Sequence, residues 1–205
     1  NGRLGVAPEE HPVRQDHRWG FITSRGRVMI EPLYEAFGET NLPWNLHPEI
    51  PRTPLSEYRL AEWQGAVGLL NSNLREVLPC RYRRIRPLSH HYFAVERDSG
   101  FQVADRKGEI VLSEGFDDIC AVDTVFSQPN PWLLVKKNGY WGVWQRGQGI
   151  LIQPQYDDIA WAGKAGYFRV KPKNAVYWAL INEQNRLLLP ANYKDIVAAH
   201  TNCIL

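Results

Sequence analysis

Asp117-Asp118 and Asp157-Asp158 are the residues of this chain that first invite a chemical reading. Paired carboxylates are what acid–base centres and hard-cation sites are built from. The equivalent places elsewhere in the chain, however, hold Arg83-Arg84 and Lys194-Asp195. A position whose charge reverses between equivalent segments is expected to be a solvated turn rather than a centre of chemistry. His90-His91 leads into an extended segment, where neighbouring side chains point to opposite faces and do not converge on one metal. His11, His17, His47 and His200 are scattered, with neither HxH nor HExxH spacing. Cys80, Cys120 and Cys203 match no zinc spacing, and three thiols cannot all pair within one chain, which leans toward a reducing, cytoplasmic setting. Neither a nucleophile elbow nor a phosphate-cradling loop is present, and Gly147-Gln148-Gly149 reads as a hairpin turn. The expectation is a chain that is not an enzyme, with no catalytic residue, no cofactor and no metal.

Two segments read better as binding surface. Arg81, Arg83, Arg84 and Arg86 fall within six positions, and guanidinium forks suit phosphates, carboxylates and aromatic faces. The segment from Asn41 to Pro54 carries four prolines together with Trp44, Leu46 and Ile50. Long irregular insertions on a regular scaffold frequently carry function. Trp44, Leu46, Ile50, Arg81, Arg83, Arg84 and Arg86 are therefore the candidate partner-binding residues, and the partner expected is a protein. A loop that folds back to seal one end of the molecule is the alternative for the insertion.

The elements that must position these residues are read from composition first. The chain has 205 residues, enough to bury a core without disulfides. Its net charge of +2 lacks the concentrated basic excess of a nucleic-acid binder. No run approaches the roughly 18 apolar residues of a membrane span. The opening residue is Asn1 rather than Met, which reads as a processed or trimmed product. Eight Trp and nine Tyr against a single Met favour pleated, half-buried strands over helices.

An internal repeat then organises the whole sequence. Its clearest copy runs Trp141-Gly142-Val143-Trp144, a Gly-bearing turn, Ile150-Leu151-Ile152, then Pro154-Gln155-Tyr156-Asp157-Asp158-Ile159. The other copies begin at Trp19, Val67, Gln102 and Trp178 and reach their aromatic at Tyr34, Tyr82, Phe116 and Tyr193. That interval is 15 residues in four copies and 14 in the third. Before each lies an alternating segment, as in Tyr92–Glu96, Trp132–Lys136 and Tyr167–Lys171, with a weaker Tyr58–Glu62 and a remnant at 13–15. Tight turns are expected at Asn138-Gly139, Asp98-Ser99-Gly100 and Lys107-Gly108. Each copy thus predicts three antiparallel strands, with the Tyr-Asp-Asp-Ile piece adding a short fourth. The predicted fold is all-β, one domain over 1–205, with copies near 11–37, 58–88, 92–122, 132–162 and 167–199 and a Pro-rich insertion at 38–57.

This pattern resembles the bacterial WG (or KWG) β repeat, most closely at Val135-Lys136-Lys137-Asn138-Gly139-Tyr140-Trp141-Gly142 and on through Pro154 to Ile159. The resemblance implies tandem stacked β units and no shared catalytic residues. A repeat scaffold without a recognisable constellation, carrying one irregular aromatic loop, is expected to be a non-catalytic binding module with a protein partner; a carbohydrate- or envelope-binding module, or a toxin-neutralising or effector-associated one, is the alternative. Both a propeller-like closure and an open twisted array fit the repeat. Closure predicts that residues 193–198 pair with the first copy to complete its sheet.

Overall fold

The computed structural model describes residues 10–38, 58–89, 91–122, 132–196, 198–199 and 203–204. Among these residues every regular element is a β-strand. Sheet one is β1 (Glu10–Gln15), β2 (Arg18–Thr23) and β3 (Val28–Tyr34). Sheet two joins β4 (Ala36–Gly38), β5 (Tyr58–Trp63), β6 (Ala66–Asn71) and β7 (Glu76–Tyr82). Sheet three joins β8 (Arg84–Pro87), β9 (Tyr92–Arg97), β10 (Gly100–Asp105) and β11 (Ile110–Phe116). Sheet four joins β12 (Asp118–Ala121), β13 (Trp132–Lys137), β14 (Tyr140–Gln145) and β15 (Gly149–Tyr156). Sheet five joins β16 (Asp158–Trp161), β17 (Tyr167–Lys171), β18 (Trp178–Asn182) and β19 (Leu187–Tyr193). A two-stranded ribbon follows, β20 (Ala198–Ala199) with β21 (Cys203–Ile204). The chain divides into two compact units, residues 1–85 and 86–205, the division falling within β8.

The predicted fourth strand exists, but it is not the last strand of its own copy. β12 pairs with β13 and β16 with β17, so the piece after each Tyr or Phe position opens the following sheet. A sequence copy and a sheet are therefore out of phase by one strand. Glu10–Gln15, which the pattern reduced to a remnant, is a full six-residue strand paired with β2 throughout. Where residues 193–198 were expected to complete the first copy, Tyr193 pairs with Trp178 and Ala198 with Ile204, and sheet one has three strands among the described residues.

The constant interval has a geometric cause. In every sheet the Trp-position residue sits opposite the Tyr or Phe: Trp19 with Tyr34, Val67 with Tyr82, Trp141 with Tyr156 and Trp178 with Tyr193. In sheet three that partner of Phe116 is Phe101, not Gln102, so the third copy is read one residue out in the sequence and its interval is also 15. Between this pair and the turn, the register slips at the same two places in all five sheets. The slip brings the third strand's backbone against the residue after Trp. A Cβ on Gly142 would lie 2.7 Å from the Pro154 nitrogen, and one on Gly68 2.7 Å from the Leu78 carbonyl oxygen. Only glycine accepts so close a backbone approach, which is why Gly follows Trp. Sheet five carries Ala179 at this place.

The turns follow local chemistry. Asn138 and Gly139 both take positive φ (52° and 84°), as the two-residue I′ hairpin demands. The next turn is held by a side chain: Asn71, Asp105 and Asn182 each accept two backbone N–H bonds, from residues two and four positions on, at 2.8–3.1 Å. Thr23 accepts one, from Arg27. Leu74, Gly108 and Asn185 supply the left-handed residue these turns share.

Apolar residues alternate onto both faces of each sheet, and consecutive sheets of the second unit close on each other. Tyr92, Ala94, Val103 and Phe116 of sheet three pack with Ile119, Leu133, Val135 and Trp144 of sheet four. Trp132, Leu134, Val143 and Ile152 of sheet four pack with Ile159, Phe168, Val170, Ala179 and Ile181 of sheet five. In the first unit Phe21, Leu60, Leu69, Leu78, Tyr82 and Ile85 are buried.

Candidate functional site

The recurring aspartates are tied into the backbone. Asp118, Asp158 and Asp195 each accept the next residue's N–H, at 2.8–2.9 Å, which holds the chain extended as it leaves one sheet and starts the next strand. Their neighbours one residue earlier reach across: Asp117 accepts the Gly139 amide at 3.0 Å and Asp157 the Asn174 amide at 2.6 Å. The paired carboxylates expected to be solvated turns are thus buckles on the adjacent hairpin. Where Asp118 and Asp158 lie, Lys136 and Lys171 face them in register.

Two arginines complete these buckles. Arg86 bonds the Asp118 carboxylate and donates to the Ile119 carbonyl at 2.6 Å, while its guanidinium lies 4.9 Å from the Phe101 ring centroid. Arg169 repeats this with Asp195, the Ile196 carbonyl at 3.3 Å and the Trp178 ring at 5.1 Å. Phe101 and Trp178 hold the same repeat position, so this is one device used twice. Arg86 reaches it from the edge strand and Arg169 from the strand beside it. Its spatial equivalence crosses strands, so no linear spacing announces it.

The Trp-position rings are half-buried rather than deep, and each carries a cation. Arg14 lies over Trp19 at 5.5 Å, Lys136 over Trp141 at 5.3 Å and Lys171 over Trp178 at 4.6 Å. In each case the cation is the ring's register partner on the preceding strand, or the residue completing that register in sheet five. Where the Trp position holds Val67 or Phe101 instead, that partner is Glu62 or Glu96. Among the described residues the buried tryptophans are Trp144 and Trp132, neither of them at the recurring Trp position.

Of the candidate partner residues, Arg81, Arg83 and Arg84 are exposed. Arg81 lies along the Tyr82 ring, 5.5 Å from its centroid, and both its Nε and Nη2 donate to the Tyr82 hydroxyl oxygen at 3.4 Å. Arg86 is engaged within the chain as described above. Trp44, Leu46 and Ile50 lie outside the described residues, as do His47, His90 and His200. His11 and His17 are exposed, and His91 stacks edge-on to Tyr92. Cys80 and Cys120 are not joined in a disulfide. Burial pushes the Cys120 thiol up, helped by Asp118, although Arg86 opposes it; burial likewise raises Cys80, with Glu76 and Glu62 adding to it. Neither is poised as a thiolate nucleophile. Among the described residues no three His, Cys, Asp or Glu side chains gather as a metal set. No helix among them is long and apolar enough to cross a membrane.

A family model described as "WG containing repeat" matches residues 19–40, the copy that opens at Trp19-Gly20, and bears out the resemblance. No curated protein matches the sequence. Solved structures that resemble the fold include the Kluyveromyces lactis Hsv2 complete loop 6CD structure, 11% identical over 68% of this chain and 48% of that one, TM-score 0.37. A eukaryotic initiation factor structure is 10% identical over 93% of this chain and 55% of that one, TM-score 0.43. The chain spans about half the length of the structures it matches.

Proposed function

We propose that this WG-repeat chain is a non-catalytic scaffold that holds a protein partner through its non-repeating features. The observation that carries this reading is where its chemically capable side chains are spent. Asp117, Asp118, Asp157, Asp158, Arg86 and Arg169 are all engaged in holding one sheet or hairpin to the next. Outside the repeat's recurring positions stand the 38–57 insertion with Trp44, Leu46 and Ile50 in its sequence, and the exposed side chains of Arg81, Arg83 and Arg84. Trp and Arg are the residues most enriched where binding energy concentrates. Glycan stacking is the less favoured reading, because the Trp19, Trp141 and Trp178 rings each have a cation over one face.

The test is in-cell crosslinking followed by quantitative affinity capture with the wild-type chain, Trp44→Ala and Arg81→Glu/Arg83→Glu. A specific protein retained by the wild type and lost from either variant, with melting temperatures within about 3 °C of one another, supports the proposal. Capture unchanged by both variants, or a saturable glycan-array signal abolished by removing exposed aromatics, overturns it.

A further inference from the structure

Sheet five presents on its outer face the surface that sheets three and four each bury against the next sheet. Its residues there are Tyr167, Trp178, Leu180, Leu188, Leu189 and Tyr193, yet the buried cluster shrinks to Ala162, Leu180 and Ile196. Tyr193 is 40% exposed where Phe116, in the same position, is 2% exposed. Leu188 is 41% exposed, whereas Leu151 at its place is packed against the sheet four–sheet five core. The face is therefore shaped for another sheet of the same repeat.

The strand pairing shows which sheet. Asp118-Ile119 lies opposite Lys136 and Val135, and Asp158-Ile159 opposite Lys171 and Val170, where Lys171 pairs with Asp158 at 3.9 Å. Asp195-Ile196 repeats the same residues with the same amide bond, and Ile196 is already buried against sheet five. Sheet one carries the matching partners. Arg14 and Val13 sit opposite Trp19 and Gly20, as Lys136 and Val135 sit opposite Trp141 and Gly142. Sheet one is also the four-stranded pattern's exception, without an edge strand among the described residues, and Val13 and Ile22 on that face are half-exposed.

We propose that a second copy of this chain seats its sheet one on the outer face of sheet five, with Asp195 opposite Arg14 and Ile196 opposite Val13 of that copy. The β20–β21 ribbon, two residue pairs long, gives way to the six-residue β1, since so short a ribbon is marginal by itself. The contact is heterologous: it joins sheet one of one copy to sheet five of another, two different surfaces, so copies add head to tail.

Sedimentation velocity of the wild-type chain from about 1 to 200 μM is expected to show mass rising past that of a dimer, a heterologous signature. Leu188→Glu/Tyr193→Glu blocks one end and Val13→Glu the other, so each alone stays monomeric. An equimolar mixture of the two forms a dimer and nothing larger, because one intact end remains on each. Circular dichroism and thermal melts establish that the variants are folded. If Val13→Glu does not fold, Arg14→Glu takes its place and Asp195→Arg is its rescuing partner in the mixture. A wild type that is monomeric over the whole range overturns the proposal. So does a dimer abolished by Leu188→Glu/Tyr193→Glu but indifferent to the sheet-one variants, which would place two copies of sheet five face to face.

Discussion

Lys136 and Trp141 show how a single residue pair reports on the whole repeat. The cation sits over the ring because the register places them side by side on adjacent strands, and both residues change together where Trp is replaced by Val67 or Phe101. A half-exposed cation–π contact contributes about 0.5–1 kcal/mol, so Lys136→Ala should lower unfolding free energy by that amount in urea titration. Removal of a buried ring is a larger event. Tyr82→Ala or Phe116→Ala should cost about 3–5 kcal/mol, whereas Tyr193→Ala, 40% exposed, should cost under about 1 kcal/mol in the same titration. Tyr156 is intermediate, half-buried with its hydroxyl donating to Asn185 at 2.6 Å. The recurring positions were legible in the sequence because identical packing leaves identical residues. Their individual burial was not, because it depends on what stands in front of each sheet. Cys120 makes a chemical check: with its thiol pushed up by burial, alkylation at pH 8, followed by peptide mapping, should be slower than that of free cysteine.

At the scale of strands and turns, the bulge beside each Trp position and the side-chain-capped turn do most of the specifying. Gly142→Ala forces a methyl against Pro154, whose ring leaves its backbone little freedom to retreat, and should cost about 3 kcal/mol or more. Gly139→Ala meets open space, and only its positive φ opposes it, at about 1–2 kcal/mol. Equal losses in the two variants would show that the close approach does not act as described. Asn182→Ala deletes two turn bonds and should cost about 1–2 kcal/mol by denaturant titration. Alternation and Gly-bearing turns placed most of the main strands from sequence, although β1 was legible only as a remnant. The misreading of the third copy also has a physical source. Sheet three moves glycine out of the residue after the Trp position and into Gly115, across from Ser99, so the sequence landmark and the structural one separate. The phase of the fourth strand was equally hidden, since a strand's sequence records its faces but not the neighbour it pairs with.

At the scale of the molecule, stability is distributed between neighbouring sheets rather than pooled. Ile159→Ala opens the core shared by sheets four and five. It should speed amide exchange at Val143 and Phe168 while leaving Ala94 and Val103 of sheet three near their original rates. Uniform acceleration across residues 92–193 in hydrogen-exchange mass spectrometry would instead mean one indivisible core. The partner-binding candidates were legible only as departures from the repeat, and a departure carries no geometry. The sequence therefore named Trp44 and Arg81 without fixing what lies beside them.

The one-strand offset between copy and sheet bears on how such a chain can change length. Duplicating one sequence copy inserts three strands of one sheet and the opening strand of the next, each with its partner already waiting. Loss of a copy removes the same set and rejoins a buckle aspartate to an equivalent chain end. Growth and shrinkage by recombination thus leave no orphaned backbone edge at the join, so copy number is free to drift while the surfaces at the two ends stay the same.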